Sequence, residues 1–218
     1  MPLAEPVARV IVFARSPRPG HTKTRLIPAL GPEGAARLYG GFLEDTLAKV
    51  RSLADVAVEV WVAADADRAF FDDARLQVEG DLGQRMSHAL ADALQRGERA
   101  LVIGTDAPTV PVAYLRAAID TLARSEVVLG PSADGGYYLI GARAKAPELR
   151  GVRWSSRHTL SDTLGAIGDA VEVALLQPWY DIDTPGDLRI LRSHLFLRPE
   201  AAPATAAILA DFDPLLGA

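Results

Sequence analysis

The residues best suited to chemistry fall in two groups of opposite charge. The first follows a short apolar run and reads Phe13-Ala14-Arg15-Ser16-Pro17-Arg18-Pro19-Gly20-His21-Thr22-Lys23-Thr24-Arg25. No Asp or Glu occurs between Pro6 and Pro32, although the chain as a whole carries a net charge of −5. Pro17, Pro19 and Gly20 restrict the loop, so Lys23 and Arg25 would be presented with little ordering entropy left to lose. Arg offers a planar fork of donors and Lys a compact charge, a pair suited to phosphoryl oxygens. The second group is acidic: Asp106, at the end of an apolar run, and Asp181 with Asp183 near the end of the chain. Carboxylates in ones and twos suit Mg²⁺, which fills its remaining positions with substrate phosphates and water. Together the groups would hold a nucleotide's phosphates between metal and cation.

Other chemistries fit less well. Gly20-His21-Thr22-Lys23-Thr24 lacks the earlier glycine of a phosphate-binding P-loop, and no Gly-x-Gly-x-x-Gly follows the first apolar run. The four histidines, His21, His88, His158 and His194, show no metal-ligand spacing. Ser155, Ser156 and His158 are not set in a Gly-x-Ser-x-Gly elbow. The absence of Cys excludes thiolate catalysis and agrees with a cytoplasmic location. The acidic balance argues against nucleic acid, and the lack of a long apolar run against a membrane span or signal peptide.

Positioning these residues calls for an α/β chain, and 218 residues suit one domain. Apolar runs alternate with helix-period segments, which predicts a mostly parallel sheet between helical layers. Strands are expected at Val10–Ala14, Val56–Val62, Leu76–Glu79, Arg99–Asp106, Glu126–Leu129, Tyr137–Ile140 and Val171–Leu176. Tyr137–Ile140 should run antiparallel, since so few residues separate it from the strand before it. Helices are expected from Gly31-Pro32 through Val50, from Gly80 to Gly97, over Val112–Leu122 and Arg157–Gly165, and from Thr184-Pro185. Ala146–Ser156 shows no clear period. The domain is placed at 1–198, with 199–218 as a loosely docked Ala/Pro-rich tail. In open parallel sheets the ligand crevice lies beyond the carboxyl ends of the strands, where Asp106 and the cationic loop should meet. Asp134-Gly135-Gly136-Tyr137-Tyr138 would line an acceptor pocket or serve only as a tight turn. Gly80-Asp81-Leu82-Gly83 would offer N–H groups to a nucleotide or only open a helix.

Several segments carry a family resemblance: the cationic loop, Gly80-Asp81-Leu82-Gly83-Gln84-Arg85-Met86, Ile103-Gly104-Thr105-Asp106-Ala107-Pro108, Gly130-Pro131 with Asp134 to Gly141, and Trp154-Ser155-Ser156. Over Val10 to about Leu191 the chain resembles the bacterial DUF2064 family, whose members are described as candidate glycosyltransferases, some tied to radical-SAM enzymes or arsenosugar synthesis. That family is similar to the GT-A-like nucleotide-diphospho-sugar transferases, with phospholactate guanylyltransferases and molybdenum-cofactor nucleotidyltransferases as relatives. Asp181-Ile182-Asp183-Thr184-Pro185-Gly186-Asp187-Leu188 resembles an Asp-x-Asp-Thr-Pro-Glu-Asp-Leu segment of the nucleotidyltransferases, with Gly186 in place of Glu. Gly104-Thr105-Asp106-Ala107 stands where many GT-A enzymes carry Asp-x-Asp.

The resemblance implies a three-layer α/β/α sandwich with one antiparallel strand and a Mg²⁺ or Mn²⁺ ion held by Asp106 and Asp183. With the residue reading, it gives Lys23, Arg25 and Asp106 as catalytic. The nucleotide-binding set is Phe13, Ala14, Arg15, Lys23, Arg25, Asp81 and Gly83. The acceptor set is Asp134, Gly135, Gly136 and Tyr137. The expected activity is glycosyl transfer from a nucleotide sugar to a small-molecule acceptor. The alternatives are nucleotidyl transfer from a nucleoside triphosphate with release of pyrophosphate, and a nucleotide-binding protein without turnover. A homodimer is compatible with the sequence.

Overall fold

The computed structural model describes residues 8–67, 70–71 and 73–212. The two ends of the expected domain and tail, residues 1–7 and 213–218, lie outside the described residues. Strand β1, Ala8–Ala14, is buried on both faces, as an unbroken apolar run requires in a covered parallel sheet. Val10, Val12 and Ala14 join one apolar cluster, and Ile11 with Phe13 joins the other.

Helix α1, Ile27–Arg51, is interrupted at Gly31, whose φ of 71° and ψ of 167° leave the helical region. Pro32 follows and starts the long run, where its fixed φ fits a first helical position. The chain then gives β2 (Val56–Val62), β3 (Arg75–Leu76), α2 (Leu82–Leu94), β4 (Arg99–Ile103), α3 (Val112–Thr121) and β5 (Val127–Pro131). It closes with β6 (Tyr137–Ala142), α4 (Thr159–Ile167), β7 (Val173–Leu175), α5 (Pro185–Leu197) and α6 (Pro203–Ala210).

The strand order is β3-β2-β1-β4-β6-β5-β7. All neighbours pair in parallel except β6, which runs antiparallel to both β4 and β5. α1 and α3 cover one face through Leu43, Val50, Leu115 and Ile119. α2 and α4 cover the other through Met86, Leu90, Leu160 and Leu164. The expected sandwich is therefore the observed fold, and each Leu, Ile or Phe taken out of water in it contributes about 1.5–3 kcal/mol.

Two expectations need correction. The third strand pairs only Arg75 and Leu76 with Trp61 and Val62, and one further bond, Gln77 N–H to the Val62 carbonyl at 2.8 Å, ends the ladder. The segment read as a loose tail contains α6, whose Thr205 and Leu209 are buried. Leu209 and Ala202 complete a third cluster with Leu38, Tyr39 and Phe42 of α1 and Leu188, Leu191 and Leu195 of α5. The reason lies on α1. Gly41 has no side chain there, and a Cβ would stand 2.8 Å from Ile208 Cδ1 and 3.2 Å from the Thr205 backbone. The buried Asp45 carboxylate accepts the N–H groups of Ala204 and Thr205, at 3.0 and 2.8 Å, and so caps a helix that has no side-chain cap of its own.

Candidate functional site

The cationic loop leaves the end of β1 and is fixed from within. Thr22 Oγ1 donates to the Ser16 carbonyl at 2.8 Å, and Ser16 Oγ accepts the Asp67 N–H at 2.7 Å. The N–H groups of His21 and Thr22 both reach the Arg18 carbonyl, closing a turn in which Gly20 has a φ of 78°. Tyr39, from the apolar stripe of α1, reaches over the loop: its hydroxyl accepts the Arg15 N–H at 2.8 Å and the Thr105 hydroxyl at 3.0 Å. One phenol thus ties the loop to the segment that bears Asp106.

Asp106 follows β4, next to β1 in the sheet. Connections leave β1 and β4 toward opposite ends of the strand order, so these two strands bound a topological switch point. Asp183 arrives from the far end of the chain. The Ile182 N–H donates to the Asp106 carbonyl at 2.8 Å, which sets the two acidic segments side by side. Asp187 Oδ2 accepts the N–H groups of Asp183 and Thr184 at 3.0 and 2.7 Å. It thereby fixes the start of α5 and the backbone of Asp183 together.

Lys23 closes the arrangement. Its Nζ lies 2.7 Å from Asp106 Oδ1, 2.7 Å from Asp183 Oδ1 and 2.6 Å from the Ile182 carbonyl. The Lys23 side chain is 6% exposed, against 48% for Asp106 and 38% for Asp183. Burial works against its charge but is outweighed by the Asp106 and Asp183 carboxylates, and the ammonium pKa ends above the usual lysine range. Lys23 also sits in the left-handed region, with φ 49° and ψ 46°, which a non-glycine residue adopts at a cost. The sequence reading aimed Lys23 at phosphates, whereas its ammonium here neutralises the two carboxylates.

These residues line a cleft of about 490 Å³, within the range of small-molecule sites. Phe13, Ala14, Arg15, Lys23, Arg25, Asp106, Asp134, Gly136, Tyr137 and Asp183 all face it. Asp81, Gly83 and Gly135 are not among the lining residues. Asp81 caps α2 in a reciprocal pair with Gln84. Gly83 lets α2 approach Leu149 and Trp154, since a Cβ would stand within 2.9 Å of both. Gly135, at φ 91°, has the Arg157 carbonyl where a Cβ would go, and its own carbonyl accepts the Leu160 N–H at 2.9 Å. All three glycine-loop positions therefore settle how α2 and α4 dock.

The cleft also takes in Tyr39, Arg85, Met86, Trp154, Ser155 and Asp181, for which the sequence gives no ligand role beyond Asp181's place in the acidic group. A tyrosine within an apolar helical stripe was the one usable signal, because a buried hydroxyl needs a partner. Burial, then the negative charges of Asp106 and Asp134, pushes the Asp181 carboxyl up to about 7, with Ser132 and Lys23 acting the other way. Burial pushes the Tyr137 hydroxyl up to about 12, and that oxygen is turned into the core rather than toward the cleft.

Among the described residues no group of three or more His, Asp or Glu side chains converges as a metal cage. The donor set nevertheless fits a hard divalent cation of the Mg²⁺ type. Two carboxylates already point oxygens at one cationic atom, and such ions need only one or two carboxylates when phosphates complete the shell.

A family model described as an uncharacterized protein conserved in bacteria, DUF2064, matches residues 46–156. The crystal structure of a candidate nucleotide-diphospho-sugar transferase from Desulfovibrio desulfuricans G20 is 30% identical, covers 97% of each chain and superposes with a TM-score of 0.86. The chain belongs to the DUF2064 family. The matched span of the family model holds Asp106, the start of α2 and the Asp134 to Tyr138 turn, while the cationic loop and Asp183 fall outside it. The fold recurs at lower identity in a nucleotidyl transferase from Methanothermobacter thermautotroptrophicus, at 17% identity, TM-score 0.50 and coverage of 87% and 98%. It recurs again in CMP:2-keto-3-deoxy-manno-octonic acid synthetase complexed with CTP, at 14% identity, TM-score 0.50 and the same coverage. No curated protein matches the sequence. The fold is one that proteins named as transferases share.

Proposed function

We propose that this DUF2064 chain is a divalent-metal-dependent transferase that uses an activated nucleotide, with a nucleotide sugar as donor and a small molecule as acceptor. The observation that carries this reading is the meeting of Asp106 and Asp183 on one cationic point, each at 2.7 Å, beside a loop rich in Arg. Asp106 and Asp183 would hold Mg²⁺ or Mn²⁺, which supplies neutralisation of the charge that grows on a leaving phosphate. Arg15 and Arg25, both exposed on the cleft, bind the donor's phosphates. Phe13 and Ala14 set the base and ribose end. Asp134, Gly136 and Tyr137 line the acceptor's side. The acceptor oxygen attacks the anomeric carbon, the sugar–phosphate bond breaks, and a nucleoside diphosphate leaves.

The number of cations favours a second reading as well. Arg15, Lys23 and Arg25 suit a triphosphate, in which case the acceptor attacks the α-phosphate and pyrophosphate leaves. Incubation with a panel of nucleotide sugars and nucleoside triphosphates plus Mg²⁺ separates the readings: nucleoside diphosphate supports the first, and pyrophosphate the second. Binding without either product would identify a nucleotide-binding protein lacking turnover. Asp106→Asn is expected to lower turnover by about 10²-fold or more, with a lower melting temperature as well, because the buried Lys23 ammonium loses one of its two carboxylates.

A further inference from the structure

Lys23 is the feature that the proposed reaction uses least comfortably. A phosphate-binding lysine should keep its ammonium free, yet this one is almost wholly buried and bound to three oxygens, all from the segments that carry Asp106 and Asp183. Its loop is pinned by Ser16, Thr22 and the Tyr39 hydroxyl, so the Lys23 backbone is held in place while its four-carbon stem can turn. Without a cation between them, two carboxylates this close would repel each other; with the ammonium there, they are fixed at hydrogen-bond distance.

We propose that the Lys23 ammonium stands in for the divalent cation in the nucleotide-free chain, holding Asp106 and Asp183 in place and leaving only when donor phosphates offer it another anion. This rests on the metal-dependent reading above. Its consequence is coupling. Metal alone must displace a buried, triply bonded ammonium that has nowhere else to go, whereas metal with phosphates gives Lys23 a new partner. Each ligand then tightens the other by the same factor, as linkage requires, and couplings of this kind are typically about 5–150-fold. A lysine that merely braced the loop would act in the opposite direction, because its removal would loosen the carboxylates and weaken metal binding.

The test measures Mn²⁺ binding to the full chain by electron paramagnetic resonance, with no nucleotide present. Lys23→Gln removes the charge and keeps a donor for the Ile182 carbonyl. It is expected to bind Mn²⁺ at least about fivefold more tightly than the wild type, and to bind inorganic pyrophosphate less tightly. Adding Asp183→Asn to the variant should abolish that gain. Lys23→Met, which can pack on the Phe42 ring that lies 5.7 Å from Nζ, repeats the measurement should the Gln variant fail to fold. Mn²⁺ affinity equal to or below that of the wild type, or a gain that survives Asp183→Asn, overturns the proposal. If the wild type binds Mn²⁺ with pyrophosphate and the variants bind it no tighter, the stand-in role alone falls. If the wild type binds Mn²⁺ neither alone nor with pyrophosphate, the metal-dependent reading falls with it.

Discussion

Asp187 does not line the cleft, yet its Oδ2 takes the backbone N–H groups of Asp183 and Thr184 and so decides where the Asp183 carboxylate starts from. Replacing it with Ala should cost about 1 kcal/mol, the usual loss for a helix cap. The same change should weaken Mg²⁺-dependent nucleotide binding, because Asp183 loses its backbone anchor. Calorimetric titration beside urea unfolding checks both, and unchanged affinity in a destabilised variant would reduce Asp187 to a cap. Thr184-Pro185 announced the helix start in the sequence, but nothing there told that Asp187 reaches back to Asp183. The types and spacing of Arg15, Lys23, Arg25, Asp106 and Asp183 singled out residues that the fold brings to one cleft. That Lys23 bonds Asp183 was not legible, since 160 residues separate them and only the folded sheet brings them together. Gly83 and Gly135 misled for a related reason: close approach of a ligand and close approach of a helix place the same demand on a glycine.

At the scale of elements, α1 holds the molecule's two sides together. Its inner face closes one sheet layer, Tyr39 reaches the site, and Asp45 and Lys49 grip the C-terminal segment. Lys49 Nζ donates to the Ala201 carbonyl at 2.5 Å and to the Pro108 carbonyl, two residues beyond Asp106. Burial pulls its pKa from 10.5 down to about 8, with Asp45 only partly opposing the shift. Below about pH 8 the amine is charged in both folded and unfolded chains, and folding bears the full cost of burying it. Between about 8 and 10.5 the unfolded chain holds more protons than the folded one, so stability should rise with pH through that window. Lys49→Met should lack this rise. Urea unfolding of both proteins from pH 7 to 10.5 measures the difference, and parallel curves would show that Lys49 titrates normally. The helical period exposed α1, α2 and α5 in the sequence because each has one apolar stripe. It hid α6, a short Ala-rich helix with apolar residues on every side, which looks like a low-complexity tail until Gly41 and Asp45 are seen beneath it.

At the scale of the whole molecule, the alternation of apolar runs and amphipathic segments made the layered α/β fold readable, and the single antiparallel strand followed from a short connection. The cleft's position followed in turn, since a parallel sheet offers its crevice where the strand order reverses. The extent of the cooperative unit was not readable, because composition suggested an end near residue 198, whereas the third apolar cluster runs through Leu209. Leu209 is 4% exposed and packs with α1 residues from the first quarter of the chain as well as with α5, so its loss should be felt by the entire fold. Leu209→Ala is expected to cost about 2–4 kcal/mol, as for other buried leucines. If residues up to 212 form one unit, the fluorescence of Trp61, Trp154 and Trp179, none of which lies on α6, should shift to lower urea together with far-ultraviolet circular dichroism. A helical signal lost at low urea, with the tryptophan midpoint unmoved, would instead make α6 an appendix that melts by itself, and α1 would then owe its hold on Arg15 and Thr105 to the sheet and α5 alone.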